Sequence, residues 1–121
     1  MKNEFLNQIN TYLPSVDYCS FRFVNKFTNI LSVTRNVLEP IEIIEDEGLM
    51  VTVIHDGGFG YGATSDLTRE GVLKATEEAK KWANFSKGNL VHQPKPPTNT
   101  IENGHYFTKE KDGWAKESNK D

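Results

Sequence analysis

Asp56-Gly57-Gly58 stands between two β-prone runs, Leu49 to His55 and Phe59 to Ala63, and few chain paths accommodate that arrangement. The Asp-Gly-Gly segment supplies positive φ angles for a tight hairpin turn, whose twist matches that of the strands it joins. The flanks therefore predict a pair of antiparallel strands. Directly downstream the period changes. Ser65-Asp66-Leu67-Thr68 introduces a helix, with Thr68 as its cap and Glu70 in its first turn. Val72, Ala75, Thr76, Ala79, Trp82 and Ala83 then recur at helical spacing up to a stop at Gly88. This predicts an amphipathic helix that puts those residues, Trp82 included, in the core.

Upstream, Asn3 offers a cap for a helix carrying Phe5, Leu6, Ile9, Tyr12 and Leu13, and Pro14 cannot continue its hydrogen-bond ladder. Tyr18 to Val24 switches to period two, with Cys19, Phe21 and Phe23 on one face and Ser20 and Arg22 on the other. Asn25-Lys26 predicts a short turn into a second strand, Phe27 to Arg35. Pro40 ahead of Ile41 to Glu45 predicts an edge strand, and Asp46-Glu47-Gly48 predicts a break before Leu49. The order implies an α+β domain over residues 1–88. Its expected form is an antiparallel sheet of about five strands in a meander, with the amino-terminal and carboxy-terminal helices on one face and the other face partly solvated or docked. Residues 89–121 read differently. His92 to Pro97 holds three of the five prolines, and Ile101, Tyr106, Phe107 and Trp114 are the bulky residues of an otherwise polar tail. That composition fits a linker, or the start of a connection to a further carboxy-terminal domain.

Charge and cysteine content narrow the function classes. A net charge of −3 and the absence of a long basic stripe disfavour nucleic acid as a partner, because phosphate neutralisation needs clustered Lys and Arg. Lys74, Lys80 and Lys81 alternate with Glu77 and Glu78, the pattern of a solvated helix face. Cys19 is the only cysteine, so an intrachain disulfide is impossible and a cytoplasmic location is expected. Met1 to Leu13 lacks the continuous apolar core of a signal peptide, and no run approaches the length of a membrane span.

Several segments in fixed order carry a resemblance. They are Thr34-Arg35-Asn36 with Glu39, Asp46-Glu47-Gly48 ahead of a valine-rich strand, Asp56-Gly57 before Phe59-Gly60-Tyr61-Gly62-Ala63, and Thr64-Ser65-Asp66-Leu67-Thr68 before an Ala- and Glu-rich helix. In this order and spacing, Ile30 to Ala83 resembles the amino-terminal domain of the TldD/PmbA family of metallopeptidase-related proteins, also described as modulators of DNA gyrase. Two positions depart from the pattern: Val37 stands where a glycine is usual, and Thr52 where a basic residue is common. The resemblance implies a longer parent chain, whose catalytic branch carries an HExxxH zinc motif downstream. It also implies pairing of TldD-like and PmbA-like subunits into homo- or hetero-oligomers, and a polypeptide substrate. The 121 residues contain no HExxxH, so the expectation is a non-catalytic domain without a cofactor of its own, with zinc in the further portion of a catalytic parent.

Other candidate sites have plainer explanations. Gly57-Gly58-Phe59-Gly60-Tyr61-Gly62 precedes a strand instead of opening a helix, so it is read as hairpin glycine and not as a phosphate loop. Phe59 and Tyr61, with glycines between, offer a flat strand to which an extended peptide could add by main-chain hydrogen bonds, the alternative being a purely structural strand. That edge is also the basis of the competing function, a stand-alone peptide- or protein-binding module. Trp114 is expected to dock on the rest of the parent chain, the alternative being an unstructured tail. His55, His92 and His105 lack ligand spacing, Cys19 lies in a strand alternation that points it to the core, and adjacent Asp46 and Glu47 point apart.

Overall fold

The computed structural model describes residues 2–98 and 103–111. The domain opens with α1, Lys2–Gln8, continued by a single 3-10 turn over Ile9–Tyr12. Asn3 thus lies inside the helix instead of capping it. Leu13 leaves the helical region at φ −60°, ψ 125°, as the residue before a proline is forced to do. Phe5, Ile9 and Tyr12 turn toward the sheet, with Phe5 against Phe23 at a ring separation of 6.1 Å.

Five strands follow: β1 Tyr18–Ile30, β2 Val33–Thr34, β3 Val37–Leu38, β4 Glu42–His55 and β5 Gly58–Thr64. They form an antiparallel sheet in the order β1-β4-β5 and a separate β2-β3 pair. The helix α2, Arg69–Ser86, closes the fold, and Gly88 beyond it takes φ +77°. The α+β class, with a helix at either end of an antiparallel sheet, is as expected.

Two of the expected breaks are not breaks. Asn25-Lys26 lies within β1, and Asp46-Glu47-Gly48 lies within β4, where Asn25 pairs with Glu47 and Lys26 with Asp46. The Asn25 side-chain amide donates across the strands to Glu45 and Glu47 at 3.3 and 3.5 Å, so the polar residues read as a turn are cross-strand partners. Their turn-like composition reflects position. Among the described residues the ribbon has neither third strand nor helix beside it, so both faces are exposed and neither needs a continuous apolar pattern. The expected strand Phe27 to Arg35 is the far half of β1 plus β2, and Ile41 to Glu45 is the near half of β4. Chain reversal occurs instead at Arg35-Asn36, with φ of 51° and 63°. These are the paired positive angles of a primed hairpin turn, which Asn tolerates well.

The core lies between the sheet and the helices. Leu49, Val51 and Val53 of β4 point to the α2 side, beside Cys19, Phe21 and Phe23 of β1, and meet Val72, Ala75, Ala79 and Ala83 of α2 together with Ile9. Val51, Val53 and Val72 are fully buried, each contributing about 1.5–3 kcal/mol through apolar burial. Ile54 is buried on the opposite face, between its cross-strand neighbours Tyr18 and Phe59.

Candidate functional site

β5 is an edge strand whose two faces differ sharply. At its start, Asp56 and Gly57 have φ of 50° and 78°, a two-residue primed turn, so Gly58 pairs with His55. Gly58, Gly60 and Gly62 face α2. A β carbon at each would overlap the carbonyl oxygens of Ala83, Ala79 and Ala75 respectively. The glycines and the alanine row at four-residue spacing are therefore one device, which lets helix backbone rest on strand backbone. The flat side of the strand is thus covered. Phe59 and Tyr61 project from the other face, their rings 4.6 Å apart and edge-on, with Tyr61 50% exposed.

The outer edge of β5 is partly closed. Ser86, in the last turn of α2, accepts from the Phe59 amide at 2.9 Å and donates to the Phe59 carbonyl at 2.8 Å. Strand alternation points the main-chain groups of Tyr61 and Ala63 the same way, and no strand lies beyond them among the described residues. α2 overhangs this edge with Glu78 and Trp82. Trp82 was expected in the core but is 48% exposed. Its helical phase puts it at the flank of the alanine row, where it stacks edge-on with Phe85 at 5.7 Å and donates its indole N–H to Glu78 at 2.9 Å. A cleft of about 280 Å³ opens beside it, lined by Ala63, Thr64, Gly71, Lys74, Ala75 and Glu78. The arrangement offers main-chain hydrogen bonds and aromatic surface, which suits holding an extended chain.

The turn at the other end of β5 is anchored by charge. The Asp56 amide donates to Asp17 at 2.8 Å, and the Lys87 ammonium bonds the Asp56 carboxylate. That lysine, through its hydrogen bond and its charge, holds the Asp56 carboxyl below the usual carboxylate range. His55 Nδ1 lies 3.6 Å from Asp17, beyond hydrogen-bond distance. Helix α2 begins with a similar local network. Asp66 accepts from the Thr68 amide at 3.0 Å, and bonds from the Thr68 hydroxyl and amide lower its pKa. Thr68 in turn accepts from Gly71 at 3.3 Å, as the sequence predicted for a cap.

The remaining candidates do not converge. Cys19 is half-buried against the core, and burial pushes its thiol pKa up, the opposite of activation. Among the described residues no three His, Cys, Asp or Glu side chains come together as metal ligands. Trp114 lies outside the described residues. The exposed position of Trp82 was missed by sequence reasoning, although Gly58-x-Gly60-x-Gly62 facing Ala75, Ala79 and Ala83 could have signalled that only small residues fit beneath α2.

Comparison with protein families matches residues 19–83 to the first domain of the PmbA/TldA metallopeptidases. The chain belongs to the PmbA/TldD family. The matched span runs from the second residue of β1 to Ala83 in α2, so it contains the buried core of this PmbA/TldD domain apart from Ile9. A search of curated proteins finds no match to the chain. Among the described residues, no helix is long and apolar enough to cross a membrane.

Proposed function

We propose that the chain is the non-catalytic first domain of a TldD/PmbA-type zinc metallopeptidase, or of its inactive partner subunit. In this reading it contributes to assembly and to the access of polypeptide substrate to a centre elsewhere in the parent chain. The observation that carries the reading is the match over residues 19–83 to the first domain of these metallopeptidases. Residues 1–88 form the domain proper and 89–121 the connection to the remainder. The described part of that connection, 89–98 and 103–111, carries neither helix nor strand. Its partners are the rest of the parent chain, a second TldD/PmbA-type subunit and polypeptide, and the net charge of −3 speaks against nucleic acid. The lone cysteine is in keeping with a cytoplasmic place. No gyrase-directed role is attached to the domain.

The test is the size of the native protein, probed in an extract of the source cell with an antibody against this chain. A band far above 13.7 kDa is expected. A band at the size of the chain itself would remove the peptidase reading.

One observation favours a second reading, a stand-alone module that holds a peptide at its sheet edge. The outward main-chain groups of Tyr61 and Ala63 lie beside an aromatic overhang. Titration with unstructured peptides should then shift the amide resonances of Tyr61 and Ala63 while sparing Phe59, whose edge groups Ser86 occupies. Uniform or absent shifts would sink it.

A further inference from the structure

β5 ends where Thr64 pairs with Leu49, but β1 and β4 run on together from the Val24–Gly48 pair to the Ile30–Glu42 pair. Beyond the domain body they are, among the described residues, a bare two-stranded ribbon, and such ribbons are marginal in water without a third strand or a covering layer. This ribbon is also apolar for an exposed element: Phe27 is 61% exposed and Ile43 65%. Among the described residues, each of its edges presents main-chain groups that no other strand pairs. By strand alternation these belong to Asn25, Phe27 and Asn29 on β1 and to Ile43, Glu45 and Glu47 on β4.

Charge separates the two edges. Pairing two β4 edges about a two-fold axis centred on Glu45 would set Glu45 against Glu45, and centred on Ile44 would set Glu42 against Asp46; like charges directly opposite are destabilising. The β1 edge has no such obstacle. An antiparallel pair centred on Phe27 puts Phe27 on Phe27, Val24 on Ile30, Asn25 on Asn29 and Lys26 on Thr28. Apolar meets apolar, polar meets polar, and the single charge meets a hydroxyl. The register is self-complementary, as a closed two-fold contact requires.

We propose that a second copy of this chain pairs with this one along β1, residues 24–30, making a sheet of order β5-β4-β1-β1-β4-β5 across the two-fold axis. The added strand turns each ribbon into part of a continuous sheet, and it leaves the β5 edge of both copies open. This names a surface for the assembly role proposed above and rests on that role, but it is tested separately.

Sedimentation equilibrium on the full chain should show a concentration-dependent dimer. Mixed labelled and unlabelled copies should give an intermolecular Hα–Hα contact between Lys26 and Thr28. Phe27→Arg, which sets two cations on the axis at an already exposed position, should weaken the dimer at least tenfold, with the circular dichroism spectrum unchanged. Glu45→Lys, on the other edge, should leave it within twofold. A chain that stays monomeric at every concentration would overturn the pairing, as would a dimer indifferent to Phe27→Arg or one weakened more by Glu45→Lys. A dimer that survives Phe27→Arg would remove this contact and leave the assembly role standing, since the size of the native protein reads that role independently.

Discussion

A β carbon on Gly60 would overlap the Ala79 carbonyl and sit 2.5 Å from Ala83 N and 2.9 Å from Trp82 Cβ. Two of these obstacles are helix backbone, which cannot step aside alone. Gly60→Ala should therefore destabilise the domain by about 3 kcal/mol through overpacking, measured by chemical denaturation. Gly104→Ala, where the added carbon meets nothing within 4 Å, should change little. Asp56 and Lys87 carry a pH effect. Because Lys87 lowers the folded-state pKa of Asp56, the pair stabilises the domain above the ordinary carboxylate value of 3.8 and loses that stabilisation as pH falls below it. Lys87→Met should flatten the stability profile below pH 3.8, and a profile unchanged by the substitution would show that the pair contributes nothing there. Of these residues, Asp56 and Gly57 were legible as a turn because the pair has a local conformational signature. Gly58 and Gly60 were read as turn and strand glycines, since what they accommodate is a helix many residues away.

At the scale of elements, α2 was the most legible piece. Its cap, its apolar positions and its stop are all local signals, and the Thr68 hydroxyl accepts from the Gly71 amide as expected of a cap. Thr68→Ala should cost about 1 kcal/mol in thermal unfolding, the usual effect of losing an N-cap. Ser86 at the other end has a different consequence. It satisfies both edge groups of Phe59, so Ser86→Ala should speed exchange of the Phe59 amide while leaving the Val53 amide protected. Equal exchange at Phe59 in both proteins would mean that the hydroxyl does not close the edge. The long strands were the least legible elements. Asn25-Lys26 and Asp46-Glu47-Gly48 have turn composition, yet the 13 and 14 residues of β1 and β4 pass through them unbroken. A strand with water on both faces has no burial pattern to announce itself, and only pairing with its neighbour holds it extended.

Across the whole molecule, burial is concentrated at one end. Leu49, Val51 and Val53 sit beneath α2, whereas the same strand from Glu42 to Glu47 is exposed throughout. Opening should follow that gradient. In dilute protein, amides of the ribbon, such as Thr28 and Ile44, should exchange at least tenfold faster than those of Val51 and Val53, because few apolar contacts oppose local opening there. Uniform protection along β4 would contradict it. The candidate site follows the same division. That Phe59 and Tyr61 share one face was legible from the strand alternation, but the overhang of Trp82 and the partial closure by Ser86 were not, because they depend on how α2 crosses β5. The sequence by itself determined the α+β class, the Asp56-Gly57 turn, the capped helix and the family, since each rests on short-range periodicity, backbone preference or ordered motifs. Only the tertiary structure decided which polar runs were turns and which were paired strands. It also decided which face of the glycine strand was covered and where Trp82 points, since those outcomes depend on contacts between residues far apart in the chain.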